Sequence, residues 1–172
     1  MMAIYFPESN ILFIHFPKTG GCTFYALIKD INHETHGFQH DPIDHLGKHF
    51  FLNKPKVILF SREKESWFQS YHRWRDRNKN NDFLLPGTSE HWHPKWVLEE
   101  LFDRNYKTFR QNIEDIHPRY YENLCEIYYN HPTFDMTIYK YELFEDSIRD
   151  IFDRLGKTLP MDYLLPRLNA TT

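Results

Sequence analysis

The stretch Ile11–Thr23 reads ILFIHFPKTGGCT: an apolar run, then Pro17-Lys18-Thr19, then the pair Gly20-Gly21 before Cys22 and Thr23. Ile11–Phe16 is rich in β-branched and aromatic residues and does not simply alternate with polar ones, which suits a strand covered on both faces. The next residues cannot prolong it. Pro17 lacks an amide donor, and the glycines admit close backbone approach and dihedrals that side chains disfavour. The pattern predicts a turn over Pro17–Gly21 and a helix from about Cys22. A helix N-terminus after such a turn is an anion site, because its first N–H groups are free and carry partial positive charge. Successive turn amides can form a phosphate-sized nest. Lys18 adds a full charge and Thr23 a hydroxyl donor. The same pentapeptide also serves as a tight strand–helix turn with a solvated lysine, so the rest of the chain must decide.

Two further apolar runs read as buried strands, Lys56–Phe60 (KVILF) and Met136–Tyr139 (MTIY). Helical patterns follow all three: Thr23–Ile31, Glu65–Arg77 and Tyr141–Leu155, the last ending at Gly156. Two more segments look helical, Lys95–Asp103 and Arg119–Asn130. Strand and helix in alternation imply right-handed βαβ units, and hence a three-layer α/β fold with a central parallel sheet flanked by helices. Asn78–Pro94 (NKNNDFLLPGTSEHWHP) reads as a long loop or lid, and Thr158–Thr172 as irregular.

A length of 172 residues suits one domain, 1–172, with a continuous core. The formal net charge of −3 argues against wholesale nucleic-acid or membrane-surface binding while leaving room for a local basic pocket. No run approaches the roughly 18 apolar residues of a membrane span. The start, MMAIYFPESN, lacks the basic and apolar regions of a signal peptide. Two cysteines, Cys22 and Cys125, are too few for a disulfide framework, so a cytoplasmic setting is expected.

A nucleotide P-loop would place its lysine after the last glycine, whereas Lys18 precedes both. Such enzymes also hold magnesium with an Asp at a neighbouring strand end, and the other strands here end in Ser61-Arg62 and Tyr139-Lys140. PKTGGCT instead resembles the PKTGGTS loop of the sulfotransferase family, particularly its carbohydrate-modifying branch. The resemblance implies a P-loop-like, sulfotransferase-like fold. It further implies that Pro17, Lys18, Thr19, Gly20, Gly21, Cys22 and Thr23 grip the 5′-phosphosulfate of 3′-phosphoadenylyl sulfate (PAPS), with no metal. Cys22 departs from the family's hydroxyl residue.

The family's second signature is a strand ending in Arg with a Ser eight residues later, together binding the 3′-phosphate. Arg62 and Ser70 stand at that spacing in VILFSREKESWFQSYHRW. Glu63-Lys64 replaces the usual [DN]-P, and Trp67 replaces a second Arg. Ile138–Leu155 is similar to the family's strand–Tyr-Glu-Asp–helix ending, with Leu143 at the Asp position. Asn105–Arg110 (NYKTFR) loosely resembles an Asn-x-x-Thr-Arg segment.

Sulfuryl transfer needs a base for the acceptor hydroxyl, and histidine suits it near neutral pH. His40 occupies the region where the family often carries one. His45 is the second choice, and Glu34, Asp41 and Asp44 remain open. His15, inside the first strand, reads as a core histidine. Lys18 would stabilise the departing bridging oxygen. A His91-Trp-His93 metal site lacks further ligands at recognisable spacing. The tryptophans Trp67, Trp74, Trp92 and Trp96 could stack on a sugar or on adenine but read mostly as core, and His72, Arg73, Arg75 and Arg77 could attract an acidic glycan or face water, the solvated face being preferred. The expected function is transfer of a sulfuryl group from PAPS to a hydroxyl of a carbohydrate or small glycoside. The alternatives are a nucleotide- or glycan-binding module without turnover, or an ATP-dependent kinase. The short length leaves the acceptor site to be completed by the long loop or by a second subunit in a homo-oligomer.

Overall fold

The computed structural model describes residues 2–37, 41–77 and 100–159. Its centre is a five-stranded sheet built from β1 (Ala3–Phe6), β2 (Ile11–Phe13), β3 (Glu34–His36), β4 (Lys56–Ser61) and β5 (Met136–Lys140), in the order β3-β1-β2-β4-β5. β2, β4 and β5 run parallel, and β1 pairs antiparallel with both β2 and β3. The three strands legible as apolar runs thus form the expected parallel core, but the sheet is mixed. β1 and β2 form a hairpin through Pro7–Asn10, closed by hydrogen bonds from the amides of Ser9 and Asn10 to the carbonyls of Phe6 and Pro7 (3.3 and 3.4 Å). β2 ends at Phe13, yet the Ile14 amide still donates to the Ile58 carbonyl at 3.0 Å, so the chain stays in register toward the turn.

Alternate residues of β4 point to opposite faces, and both faces are apolar. Val57 and Leu59 belong to one core, with Leu12, Ile14 and Phe16. Ile58 and Phe60 belong to the other, with Ile4, Phe6, Ile11 and Phe13. This two-sided burial is why KVILF shows no polar alternation. The second face is covered by Phe24 and Ile28 of α1 (Gly21–Ile28) and by Ile148, Ile151 and Phe152 of a helix near the end of the chain. The first face is covered by Phe50 of α2 (Lys48–Asn53), by Trp67, Phe68 and Tyr71 of α3 (Lys64–Arg77), by Phe109 and Ile113 of α4 (Tyr106–Ile116), and by Tyr120, Tyr121, Leu124 and Tyr128 of α5 (Tyr120–Tyr129). The helix on the second face is α6 (Phe144–Arg154). It follows a 3-10 turn at Tyr141–Leu143, so the expected single helix over Tyr141–Leu155 is divided, and Gly156 (φ 64) ends it.

α4 went unread as a helix in the sequence. Its N-cap is Asn105, whose side chain accepts from the amides of Lys107 (3.0 Å) and Thr108 (3.3 Å). Most of the helix expected over Lys95–Asp103, the loop Asn78–Pro94 and the tail from 160 lie outside the described residues. Among the described residues no helix is long and apolar enough to cross a membrane.

Candidate functional site

The parallel strands deliver three segments to their carboxyl ends, where α/β sheets bind ligands. β2 leads to Pro17–Gly21, β4 to Arg62, and β5 to Tyr141 and Glu142. The turn is fixed from beneath. The Thr19 hydroxyl donates to the Phe16 carbonyl at 2.7 Å, and the buried Trp67 indole N–H donates to the Pro17 carbonyl at 2.8 Å. Gly20 takes φ 81, ψ 14 and caps α1 without any side-chain hydrogen bond, and no acidic residue stands in the first turn of α1. The opening amides of that helix therefore lack both an intrahelical acceptor and a side-chain cap.

Both glycines answer to close neighbours. A Cβ on Gly20 would lie 2.7 Å from the Tyr141 ring, and one on Gly21 would lie 2.1 Å from the His15 ring. His15 is 5% exposed and stacked on Phe13, the core histidine its place in the strand suggested. Thr23 is buried at the first turn of α1, while Cys22 is exposed there.

Arg62 links the turn to the other two segments. Its Nη1 donates to the Lys18 carbonyl at 3.0 Å, its Nε donates to the Ser66 hydroxyl at 2.9 Å, and its guanidinium lies 4.5 Å from the Tyr141 ring centre. The Tyr121 hydroxyl donates to the Arg62 carbonyl. Glu63 caps α3, its carboxylate accepting from the amides of Glu65 (2.9 Å) and Ser66 (2.7 Å), which replaces the missing proline at the helix start. The Glu63 amide in turn donates to Glu142 at 3.0 Å, joining the ends of β4 and β5.

Lys18 itself has φ 62, and its ammonium sits 5.0 Å from the Trp74 ring centre. Burial, assisted by the charges of Arg62 and Arg77, lowers its pKa to about 8 against the partial support of Cys22. Burial also lowers Arg62, with Tyr141 and Glu142 opposing. Among the described residues neither cation has a carboxylate within ion-pair distance. Two desolvated cations beside an uncapped helix terminus make a place for an anion.

The remaining sequence candidates divide. Pro17–Thr23 and Arg62 are brought together. Ser70 is half-buried two turns along α3, but the serine that meets Arg62 is Ser66, which sequence spacing alone did not single out. His40 lies outside the described residues. His45 and Asp44 are exposed on the short turn before α2, and Asp44 accepts from His131 Nε2 at 2.9 Å. His131 precedes β5, so that pair sits at the amino-terminal end of the parallel strands, opposite the turn. Glu34 stands on the edge strand β3 beside His36 at 3.1 Å. Asp41 is 4% exposed and couples to Tyr128, whose ring meets Phe16 edge-on at 5.0 Å inside the core.

One reading is corrected. His72 is not part of a solvated face: it is buried, its Nε2 lies 2.8 Å from the Asp103 carbonyl, and it stacks on Phe102. NYKTFR opens α4. Asn105 is its cap, and Arg110 binds Glu65 (3.3 Å) and Glu114 (2.7 Å) while covering Phe68 at 4.3 Å. Among the described residues no group of three or more His, Cys, Asp or Glu is placed to hold a metal ion.

No protein-family model matches the chain, and no curated protein matches it. Among solved structures it is similar to the crystal structure of mouse sulfotransferase SULT7A1 complexed with PAP, with 16% identity and a TM-score of 0.47 over 91% of this chain. The chain spans 61% of the length of that protein.

Proposed function

We propose that the chain is a sulfotransferase that moves a sulfuryl group from PAPS to a hydroxyl of a carbohydrate or small glycoside. The observation that carries this reading is the Arg62–Lys18 linkage at the strand ends, which sets two cations that have no ion pair among the described residues beside the uncapped start of α1. The donor supplies an activated sulfuryl group whose transfer leaves PAP, 3′-phosphoadenosine 5′-phosphate. The turn amides and Lys18 hold the 5′ end, where negative charge grows on the bridging oxygen. Arg62 and Ser70 take the 3′-phosphate, a role suited to a planar guanidinium fork. The acceptor proton goes to His40 in this reading. Strand ends carrying Ser61-Arg62 and Lys140-Tyr141 offer cations there, and the carboxylate that follows β5, Glu142, is engaged by the Glu63 amide.

Isothermal titration with PAP, AMP and magnesium ATP tests the reading. The wild type should prefer PAP, and Arg62→Ala should weaken it by about 10- to 100-fold, the worth of a hydrogen bond to a charged group. Preference for magnesium ATP, or no nucleotide binding, would refute it. A binding module without turnover would hold PAP but transfer nothing from PAPS to any hydroxyl.

Ser66→Ala leaves the Arg62 guanidinium held by the Lys18 carbonyl and the Tyr141 ring. PAP affinity should fall by about fivefold, one ordinary hydrogen bond. The melting temperature should barely move, because Ser66 is only half-buried. The same titration, with a thermal melt beside it, checks both.

A further inference from the structure

Lys18 takes φ 62, a left-handed conformation that side chains disfavour and that a glycine such as Gly20 (φ 81) adopts freely. A residue in that state persists only where its surroundings hold it there. The two peptide units that flank the Lys18 Cα are each held by a different element. In the unit before it, the Pro17 carbonyl accepts from the Trp67 indole at 2.8 Å. In the unit after it, the Lys18 carbonyl accepts from Arg62 Nη1 at 3.0 Å. Because each unit is planar, the first bond governs rotation about φ and the second rotation about ψ.

The indole is a fixed point for this purpose. Trp67 is fully buried, and its ring is stacked on Tyr71 (centroids 5.8 Å apart, planes at 15°) and edge-on to Phe68 at 5.2 Å. Phe16 and Tyr121 close on it at 6.5 and 5.7 Å. A ring packed in this way cannot follow the turn if the turn moves. The bond also satisfies two buried groups at once, since Pro17 is itself buried and either group left without a partner would be costly. The donor reading gives the Arg62 guanidinium a phosphate to bind as well, whereas the Trp67 indole, walled in by aromatic rings, has no access to a ligand.

Resting on the donor reading under Proposed function, we propose that Trp67 is a positioning residue for the transfer. Its indole N–H fixes the Pro17–Lys18 peptide and thereby aims the Lys18 ammonium at the 5′ end of the nucleotide. Packing alone would accept any large ring at this place, and the nitrogen is the part that acts on the site.

The test titrates the whole chain with PAP and with adenosine 3′-phosphate, which lacks the 5′ group that Lys18 meets. Trp67→Phe keeps a buried ring and removes the donor. PAP affinity should fall by about tenfold, the worth of a hydrogen bond to a charged group, while adenosine 3′-phosphate stays within about twofold. Phe109→Leu controls for lost packing: Phe109 is fully buried on α4, with Phe68, Tyr71, His72, Phe102 and Tyr106 as its ring partners. It should lower the melting temperature and keep both affinities within about twofold. Should Trp67→Phe be too unstable to titrate, a chain carrying benzothienylalanine at position 67 fills the same space with sulfur in place of the N–H and should give the same result.

Melts without nucleotide read the same hold. Burial, with Arg62 and Arg77 adding to it and Cys22 opposing, lowers Lys18 from 10.5 to about 8, so the wild type gains stability as pH rises between those values. Freeing the Pro17–Lys18 peptide should make that gain shallower. Equal losses for the two nucleotides in Trp67→Phe, an unaltered PAP affinity, or a loss as large in Phe109→Leu would overturn the proposal. So would a wild-type pH slope retained in Trp67→Phe. A wild type that binds no PAP defeats the donor reading instead, and the pH slope then judges the hold of Trp67 on Lys18 by itself.

Discussion

Lys18→Met should lower sulfuryl transfer by about a thousandfold and, in the same molecule, raise the melting temperature of the ligand-free protein. The two effects have one cause. The folded state depresses the Lys18 pKa from 10.5 to about 8, chiefly by burial. Below pH 8 both folded and unfolded chains carry the proton, and the folded state bears the full cost of a desolvated charge. Between about 8 and 10.5 the unfolded chain binds more protons than the folded one, so stability rises with pH through that window. Methionine keeps an unbranched apolar chain one atom shorter, retains most of the packing toward Trp74 and removes the charge. At neutral pH the relief is about 2 kcal/mol, or about 6 °C in a chain of this size.

Replacement adds no new backbone strain, since a lysine already occupies φ 62. Added PAP should raise the wild-type melting temperature more than that of the variant, which keeps the turn amides and Arg62 but loses the Lys18 charge. Melts from pH 7 to 10.5 should show a rising wild-type curve and a flatter one for Lys18→Met. A variant less stable than wild type at pH 7 would mean that the ammonium is held by favourable contacts rather than strained by burial.

Gly21→Ala should destabilise the fold by about 3 kcal/mol or more, at the upper end of overpacking costs. The added methyl would lie 2.1 Å from His15 Cδ2 and 2.2 Å from Nε2, and this ring is itself pinned in the core by Phe13. Neither backbone nor imidazole can yield cheaply, and any shift of α1 would disperse the amides that face the anion. Urea unfolding measures the loss. Combining Gly21→Ala with His15→Ala should recover part of it, because the two positions compete for one volume and their effects do not add. If the double variant is as unstable as the sum of the singles, the ring is not the obstacle.

The sequence was legible where local chemistry decides. Ile11–Phe16 and Lys56–Phe60 announce themselves as strands because both of their faces are buried, whereas Met136–Tyr139, also read as buried, is an edge strand with Ile138 42% exposed, legible only by its β-branched and aromatic residues. Pro17–Gly21 announces a turn because proline and glycine restrict the backbone's choices. β1 and β3 were missed for different reasons. Ala3–Phe6 is short and precedes a turn whose hairpin character shows only once a partner strand is known. Glu34–His36 is three residues, largely exposed, and carries no apolar signal. α4 was missed although Phe109 and Ile113 stand four apart on its buried face, because its first residues were read as an Asn-x-x-Thr-Arg-like segment and not as a capped helix start. In the site, Arg62 was read from spacing, but its partner Ser66 was not: a side chain that turns back on its own helix leaves no periodic trace. His72 misled for the same reason, since a polar letter amid arginines gives no hint of the Asp103 carbonyl that receives it.

The turn's hold on the rest of the molecule has a bearing on how such a site can change over generations. Pro17 is held by an indole from α3, Gly21 by the His15 ring just after β2 and Gly20 by a ring that follows β5. Three separate parts of the chain must therefore agree before this pentapeptide takes its shape. Transplanted alone onto another strand–helix junction, PKTGG would arrive without its bed. Within this chain, Trp67, His15 and Tyr141 constrain the sequence of the turn from three sides, so a change in the turn can persist only alongside a matching change in one of them.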